Sequence, residues 1–202
     1  LSAQAAASFA VPKKAYILIG IEPELDFADR NAARAALGQA ETVIALSSFR
    51  SAVSELADAM LPISPFTETS GTFINTAGSV QSFNAVVRPL GETRPGWKVL
   101  RVLANLLNLD GFDYETSEAV RDEVLARGVE SALSNHIANV AAKPAAKLSL
   151  ERVSDVAIYA SDALVRRAPS LQKTRDARRI TARISGATID KLGLAGATRG
   201  RR

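Results

Sequence analysis

Two apolar runs without alternation, "AYILIG" at residues 15–20 and "TVIALSS" at 42–48, flank "FADRNAARAAL", where apolar residues return at helical spacing. Continuous apolar runs indicate strands covered on both faces, and strand, helix, strand with short connections is a βαβ unit of a parallel sheet. The residue order predicts that Asp26 caps the helix, with Asp29 in its first turn and Gly38 at its exit. "FRSAVSELADA" then suits a short helix and "MLPI" a third strand. The expected fold class is therefore α/β, a doubly wound, mainly parallel sheet with helices on both faces. In such a sheet a ligand lies at the carboxyl ends of the strands, here Gly20–Glu24 and Ser47–Arg50.

Beyond residue 62 the pattern changes. "GTFINTAGSVQSF" places extended residues 72–74 and 79–82 around "NTAG", with Asn75 first and Gly78 last in a type I turn, a hairpin-like excursion from the layer. Thr93 and Pro95 are helix-start residues for Trp97, Leu100, Leu103, Ala104 and Leu107 at helical spacing, and Gly111 is expected to close that helix. A further helix starts at Ser117, carries Glu118 in its first turn and exits at Gly128. From there "SNHIANVAAKPAAKLSLERV" reads as an exposed connector around Pro144. "IYASDALVRRAPSLQKTRDA" has too few apolar residues for a large core and reads as a helical, irregular extension. The expected organisation is a tail over 1–12, the α/β domain over 13–112, a helical and wrapping extension over 113–175, and a separate terminal piece over 176–202.

Composition narrows the chemistry. The 202 residues contain no cysteine and one histidine, His136. Thiolate metal sites, cysteine-ligated iron–sulfur clusters and cysteine nucleophiles are excluded within the sequence, and His136 has no second histidine with which to build a metal site. The longest apolar region, "WKVLRVLANLLNL", is interrupted by Lys98 and Arg101 and falls short of the roughly 20 residues that span a bilayer, so no direct membrane insertion is expected. "LSAQAAASFAVPKK" lacks the basic start and apolar run of a secretory signal. It opens on Leu, as expected for a piece of a longer protein. Residues 166–202 hold eleven basic and two acidic residues, a net +9, whereas the preceding 165 carry 14 basic and 19 acidic, a net −5. The basic end has no interleaved aromatics, so a solvated or partner-facing segment is expected and nucleic-acid binding is not.

No constellation of side chains makes a catalytic site. Glu68 and Asp58 have no nearby nucleophile, base or metal and read as turn-capping carboxylates. Trp97 reads as core. "GLAGATRG" lacks the glycine spacing of a phosphate cradle.

Residues 57–95 carry a family resemblance. Ala57, Asp58, Leu61 and Pro62, then Glu68, Gly71, Thr72, Asn75, Gly78 and Gln81, then Pro89, Gly91, Glu92, Arg94 and Pro95 resemble, in order, A-D-x-x-L-P, E-x-x-G-T-x-x-N-x-x-G-x-x-Q and P-x-G-E-x-R-P of the molybdopterin oxidoreductase superfamily. Within it, "LPISPFTETSGTFIN", "RPGWKVLRVLANLL" and "IYASDALVRRAPSLQKT" are most similar to the family of large peripheral-arm subunits of bacterial NADH:quinone oxidoreductase, respiratory complex I. That resemblance implies a non-catalytic structural segment of such a subunit, docked to other peripheral-arm subunits on the cytoplasmic side of the inner membrane. It implies no cofactor, metal or catalytic residue in this segment, and iron–sulfur clusters in a preceding part of the polypeptide. The cofactor-binding relatives commonly end their first strand in G-x-N-P, where this chain has Gly20, Ile21, Glu22 and Pro23. They commonly follow the second strand with an Asp and T-E-T, where this chain has Ser47 and then Ser51, Ala52 and Val53. The alternative implied by the superfamily is a domain of an active formate dehydrogenase-like enzyme. By the same resemblance, residues 176–202 would open a β-barrel domain, with Arg178 to Ile184 a strand, Ala187 to Leu192 a helix and Gly193 its exit. "ATRGRR" then supplies no alternating strand to continue it.

Overall fold

Because β-branched and apolar residues crowd residues 15–19 and 42–47, these segments gain most by lying side by side under a helix. In a computed structural model of the chain they do so. The structure describes residues 8–27, 29–75, 77–126, 128, 157–177 and 184–194. The chain divides into two compact units, Leu1–Glu151 and Arg152–Arg202.

In the first unit, β1 (Ala15–Ile19), β2 (Thr42–Ser47) and β3 (Ala59–Pro62) form a parallel sheet in the order β1-β2-β3. Tyr16 is level with Val43, Ile19 with Leu46, and Ser47 with Pro62. α1 (Pro23–Asp26) and α2 (Arg30–Gly38) connect β1 to β2, and a 3₁₀ turn over Ala52–Glu55 leads to β3. Leu18, Val43 and Ala45 on one face of the sheet pack with Leu37 of α2 and Val53 of the 3₁₀ turn, each buried. This is the expected α/β layer. Its helix start differs: Asp29, not Asp26, caps α2, its carboxylate accepting from the Ala32 N–H at 2.9 Å. Pro23 breaks the reach of the helix towards β1, so Asp26 ends the one-turn α1 and accepts from the Glu22 N–H at 2.7 Å.

The hairpin forms as expected from β4 (Gly71–Ile74) and β5 (Val80–Phe83), paired antiparallel with Phe73 opposite Gln81. The Gly78 N–H donates to the Asn75 carbonyl at 3.0 Å, and the Asn75 side chain accepts from the N–H groups of Ala77 and Ser79. Gly78 itself sits at φ +84°, which favours glycine. α3 (Gly96–Leu106) follows Pro95. It ends earlier than Gly111, because Asn108 takes the left-handed conformation (φ +54°) and the Leu109 N–H returns to the Ala104 carbonyl at 3.0 Å. α4 (Ser117–Ala126) is capped by Thr116 rather than Ser117 and exits at Gly128, φ +79°.

The second unit contains a 3₁₀ turn over Ile158–Ala160, α5 (Ala163–Arg166) capped by Asp162, α6 (Pro169–Gln172), and α7 (Gly186–Lys191) capped by Ser185. The Gln172 amide ties α6 back by donating to the Tyr159 and Val165 carbonyls. Gly193 follows α7 at φ +64°, the exit expected. The expected strand from residue 178, His136 and Pro144 lie outside the described residues. Among the described residues no closed barrel forms, and no helix is long and apolar enough to cross a membrane.

Candidate functional site

The carboxyl edge of a parallel sheet collects chain turns whose backbone groups have left the ladder, so it is where a ligand and a polar side chain are both best accommodated. Here the two buried polar residues among those described, Glu22 at 4% and Ser64 at 6% exposure, both fall there.

At the end of β1, Gly20 adopts φ +60° and its N–H donates to the Leu46 carbonyl at 2.8 Å, holding the turn against β2. Glu22 then precedes α1. Its carbonyl accepts from Leu25 and Asp26 N–H groups while its own N–H donates to the Asp26 carboxylate. Pro23, also buried, fixes the first helical position. The chain thus buries Glu22 at the end of β1. A pyrophosphate brought to this turn would meet two like charges, the carboxylates of the buried Glu22 and of the exposed Asp26. At the end of β2, the Ser47 hydroxyl donates to the Phe49 carbonyl at 2.8 Å and accepts from the Phe49 N–H at 3.1 Å. Its hydrogen-bonding capacity is turned onto its own loop. These residues do not suit a dinucleotide cofactor.

The third strand end is a scaffold. Ile63 forms a parallel bridge with Arg94, and the Ser64 N–H donates to the Arg94 carbonyl at 2.9 Å. The Ser64 hydroxyl donates to Thr93 Oγ1 at 3.1 Å, and the Thr93 hydroxyl donates to the Leu90 carbonyl at 2.8 Å. The Leu90 N–H donates to Glu68 Oε2 at 2.9 Å. Glu68, Leu90, Thr93 and Ser64 form one relay that ties the segment before α3 to the sheet. Thr93 therefore serves this relay rather than capping α3. Ser64 is missed from sequence; a polar residue directly after the apolar "MLPI" and before Pro65 is the signal that marks it.

The motif residues of 57–95 resolve into backbone roles. Asp58 Oδ2 accepts from the Val43 N–H at 2.7 Å while the Asp58 N–H donates to the Val43 carbonyl at 2.9 Å. Gly71 lies under the Phe83 ring, where a Cβ would come within 2.7 Å of it. Thr72 bonds Ser82 across the hairpin at 3.0 Å. Glu68 and Asp58 hold separate backbone N–H groups and are not brought together as an acid–base pair. Trp97 is half-buried, with the Lys98 ammonium 5.3 Å from its ring centroid. Among the described residues no group of three or more His, Asp or Glu side chains could hold a metal ion.

Comparison with known proteins agrees with this scaffold. The molybdopterin oxidoreductase family matches residues 2–106, and the chain belongs to that family. Proteins named "putative formate dehydrogenase" from Staphylococcus aureus strains bovine RF122 / ET3-1 and MRSA252 are 33% and 32% identical to it over 94 residues. In both cases the aligned stretch is 46% of this chain and 10% of the relative. The chain thus matches only about a tenth of the length of these curated relatives.

Proposed function

We propose that this chain is the molybdopterin-oxidoreductase-like segment of the large peripheral-arm subunit of a bacterial NADH:quinone oxidoreductase, respiratory complex I. In this reading the α/β layer is kept as a rigid interaction scaffold and binds no molybdopterin, metal or flavin. The observation that carries it is the buried Glu22 at the end of β1, whose N–H is held by Asp26, together with a Ser47 at the end of β2 whose hydroxyl is bonded to its own loop. In this reading the iron–sulfur clusters belong to another part of the polypeptide, because this chain contains no cysteine. Its partners are then the other peripheral-arm subunits on the cytoplasmic face of the inner membrane.

The names of the relatives favour a second reading, a segment of a formate dehydrogenase-like enzyme. The two readings part on the electron donor. Protein carrying an affinity tag on this segment, isolated with its natural assembly, is expected to have its redox centres reduced by NADH. Reduction by formate and not by NADH would overturn the proposal in favour of the second reading.

A further inference from the structure

A single helical turn makes too few hydrogen bonds to offset the ordering of its own backbone, so α1 must be held by what surrounds it. Its internal bonds run from the Leu25 and Asp26 N–H groups to one acceptor, the Glu22 carbonyl, each at 2.9 Å. Pro23 is buried and anchors the first position, whereas Leu25 is 59% exposed. The ion pair of Glu24 with Arg34 in α2, at 3.7 Å, adds little, because the half-exposed guanidinium is shared with Glu55 at 3.6 Å.

The far end of α1 is held by an aromatic contact instead. Phe27, the extended residue that ends α1, meets Phe9 edge to face, with ring centroids 4.8 Å apart and planes at 85°. Phe9 lies in a helical turn at residues 8–10. It packs on the core of Leu18, Leu37, Val43, Ala45 and Val53, and its ring centroid is 5.8 Å from that of Tyr16. Phe9 thus stands between that core and Phe27. Tyr16 fixes the backbone on both sides of Phe9: its hydroxyl donates to the Ser8 carbonyl at 3.3 Å and accepts from the Lys13 N–H at 2.9 Å.

We infer that residues 8–13 are a strap, locked by the Tyr16 hydroxyl, whose Phe9 ring holds α1 closed at the carboxyl end of β1. Release of the strap opens the turn from Glu22 to Phe27 and leaves the sheet intact, because β2 keeps its ladders to β1 and β3 and Val43 and Ala45 keep their packing on Leu37 and Val53. The residues that lead into β1 therefore control whether the turn carrying Glu22 is closed. The inference rests on the fold alone and stands whichever electron donor the assembly uses.

Hydrogen–deuterium exchange of the full-length polypeptide, resolved to single residues, tests it. Phe9→Ala is expected to speed exchange of the Leu25 and Asp26 amides at least about tenfold, while the Ala45 and Leu46 amides of β2 change less than about twofold. Tyr16→Phe keeps the ring and deletes both hydroxyl bonds. It is expected to speed exchange of the Lys13 amide and, through Phe9, of the Leu25 and Asp26 amides, each at least about threefold. Unaltered exchange of Leu25 and Asp26 in either variant would overturn the strap. Acceleration of Ala45 and Leu46 equal to that of Leu25 and Asp26 would make Phe9 an ordinary part of the core and overturn it as well. Should Phe9→Ala fail to fold, Tyr16→Phe alone decides.

Discussion

Replacing Asp58 with alanine removes the element that starts β3 in register. The Val43 N–H points towards β3, but β3 begins only at Ala59, opposite Ile44, so no strand carbonyl reaches it. The Asp58 carboxylate supplies the missing acceptor at 2.7 Å while its N–H takes up the Val43 carbonyl. Val43 is 1% exposed, so water cannot readily substitute. A hydrogen bond to a charged group contributes about 1.5–3 kcal/mol, and an orphaned buried donor costs about 1–3 kcal/mol. Asp58→Ala is therefore expected to destabilise by about 2 kcal/mol, lowering the melting temperature by about 4–8 °C in a protein of this size. Asp58→Asn keeps an oxygen acceptor and loses the charge, so about half the effect is expected. Urea unfolding should show a lower midpoint at unchanged slope. A loss for Asp58→Ala within about 0.5 kcal/mol, the range of ordinary surface substitutions, would refute the reasoning. So would equal losses for the two variants.

Other positions give sharper contrasts. Gly78→Val, at φ +84°, is expected to cost about 1–2 kcal/mol. Gly96→Ala, whose new Cβ would rest 3.7 Å from Ile63, is expected to be neutral or to stabilise by up to about 1 kcal/mol in the same thermal melts. Equal losses would mean the turn is misplaced. Asp29→Ala should lower stability by about 1 kcal/mol through loss of the α2 cap, read from helix signal against temperature; no change would return the cap to Asp26. Glu68→Ala should speed amide exchange at Leu90, and Glu68→Gln should restore most of the protection, since only an acceptor oxygen is required. Unaltered exchange in Glu68→Ala would remove Glu68 from the relay.

What the sequence made legible follows from the range of the forces involved. The strands at 15–19 and 42–47 and the hairpin around Asn75 and Gly78 rest on local apolar density and turn chemistry, and both are written in consecutive residues. Cap positions were less legible because several competent residues stand close together. Asp26 and Asp29 are both good caps, and only the placement of Pro23 against β1 decides between them. Asn108 displaced Gly111 as the helix end for the same reason, since asparagine tolerates the left-handed conformation one turn earlier. The relay from Glu68 to Ser64 spans more than twenty residues of chain. No spacing rule announces a contact of that range, although the sequence does mark Glu68 and Asp58 as carboxylates holding backbone. At the sheet edge, the substitution of Glu22 for an amide is visible in sequence through the family resemblance, and its burial is not.

If this family member has kept the α/β layer without a molybdopterin cofactor, the metal and the pterin should both be missing. The direct measurement is the molybdenum, tungsten and pterin content of the full-length polypeptide purified from its natural host, by elemental analysis and by fluorescence of the oxidised pterin. Far less than one equivalent of each is expected, and Glu22→Asn is expected to leave that content unchanged. Stoichiometric molybdenum or tungsten accompanied by pterin would contradict the loss of the cofactor.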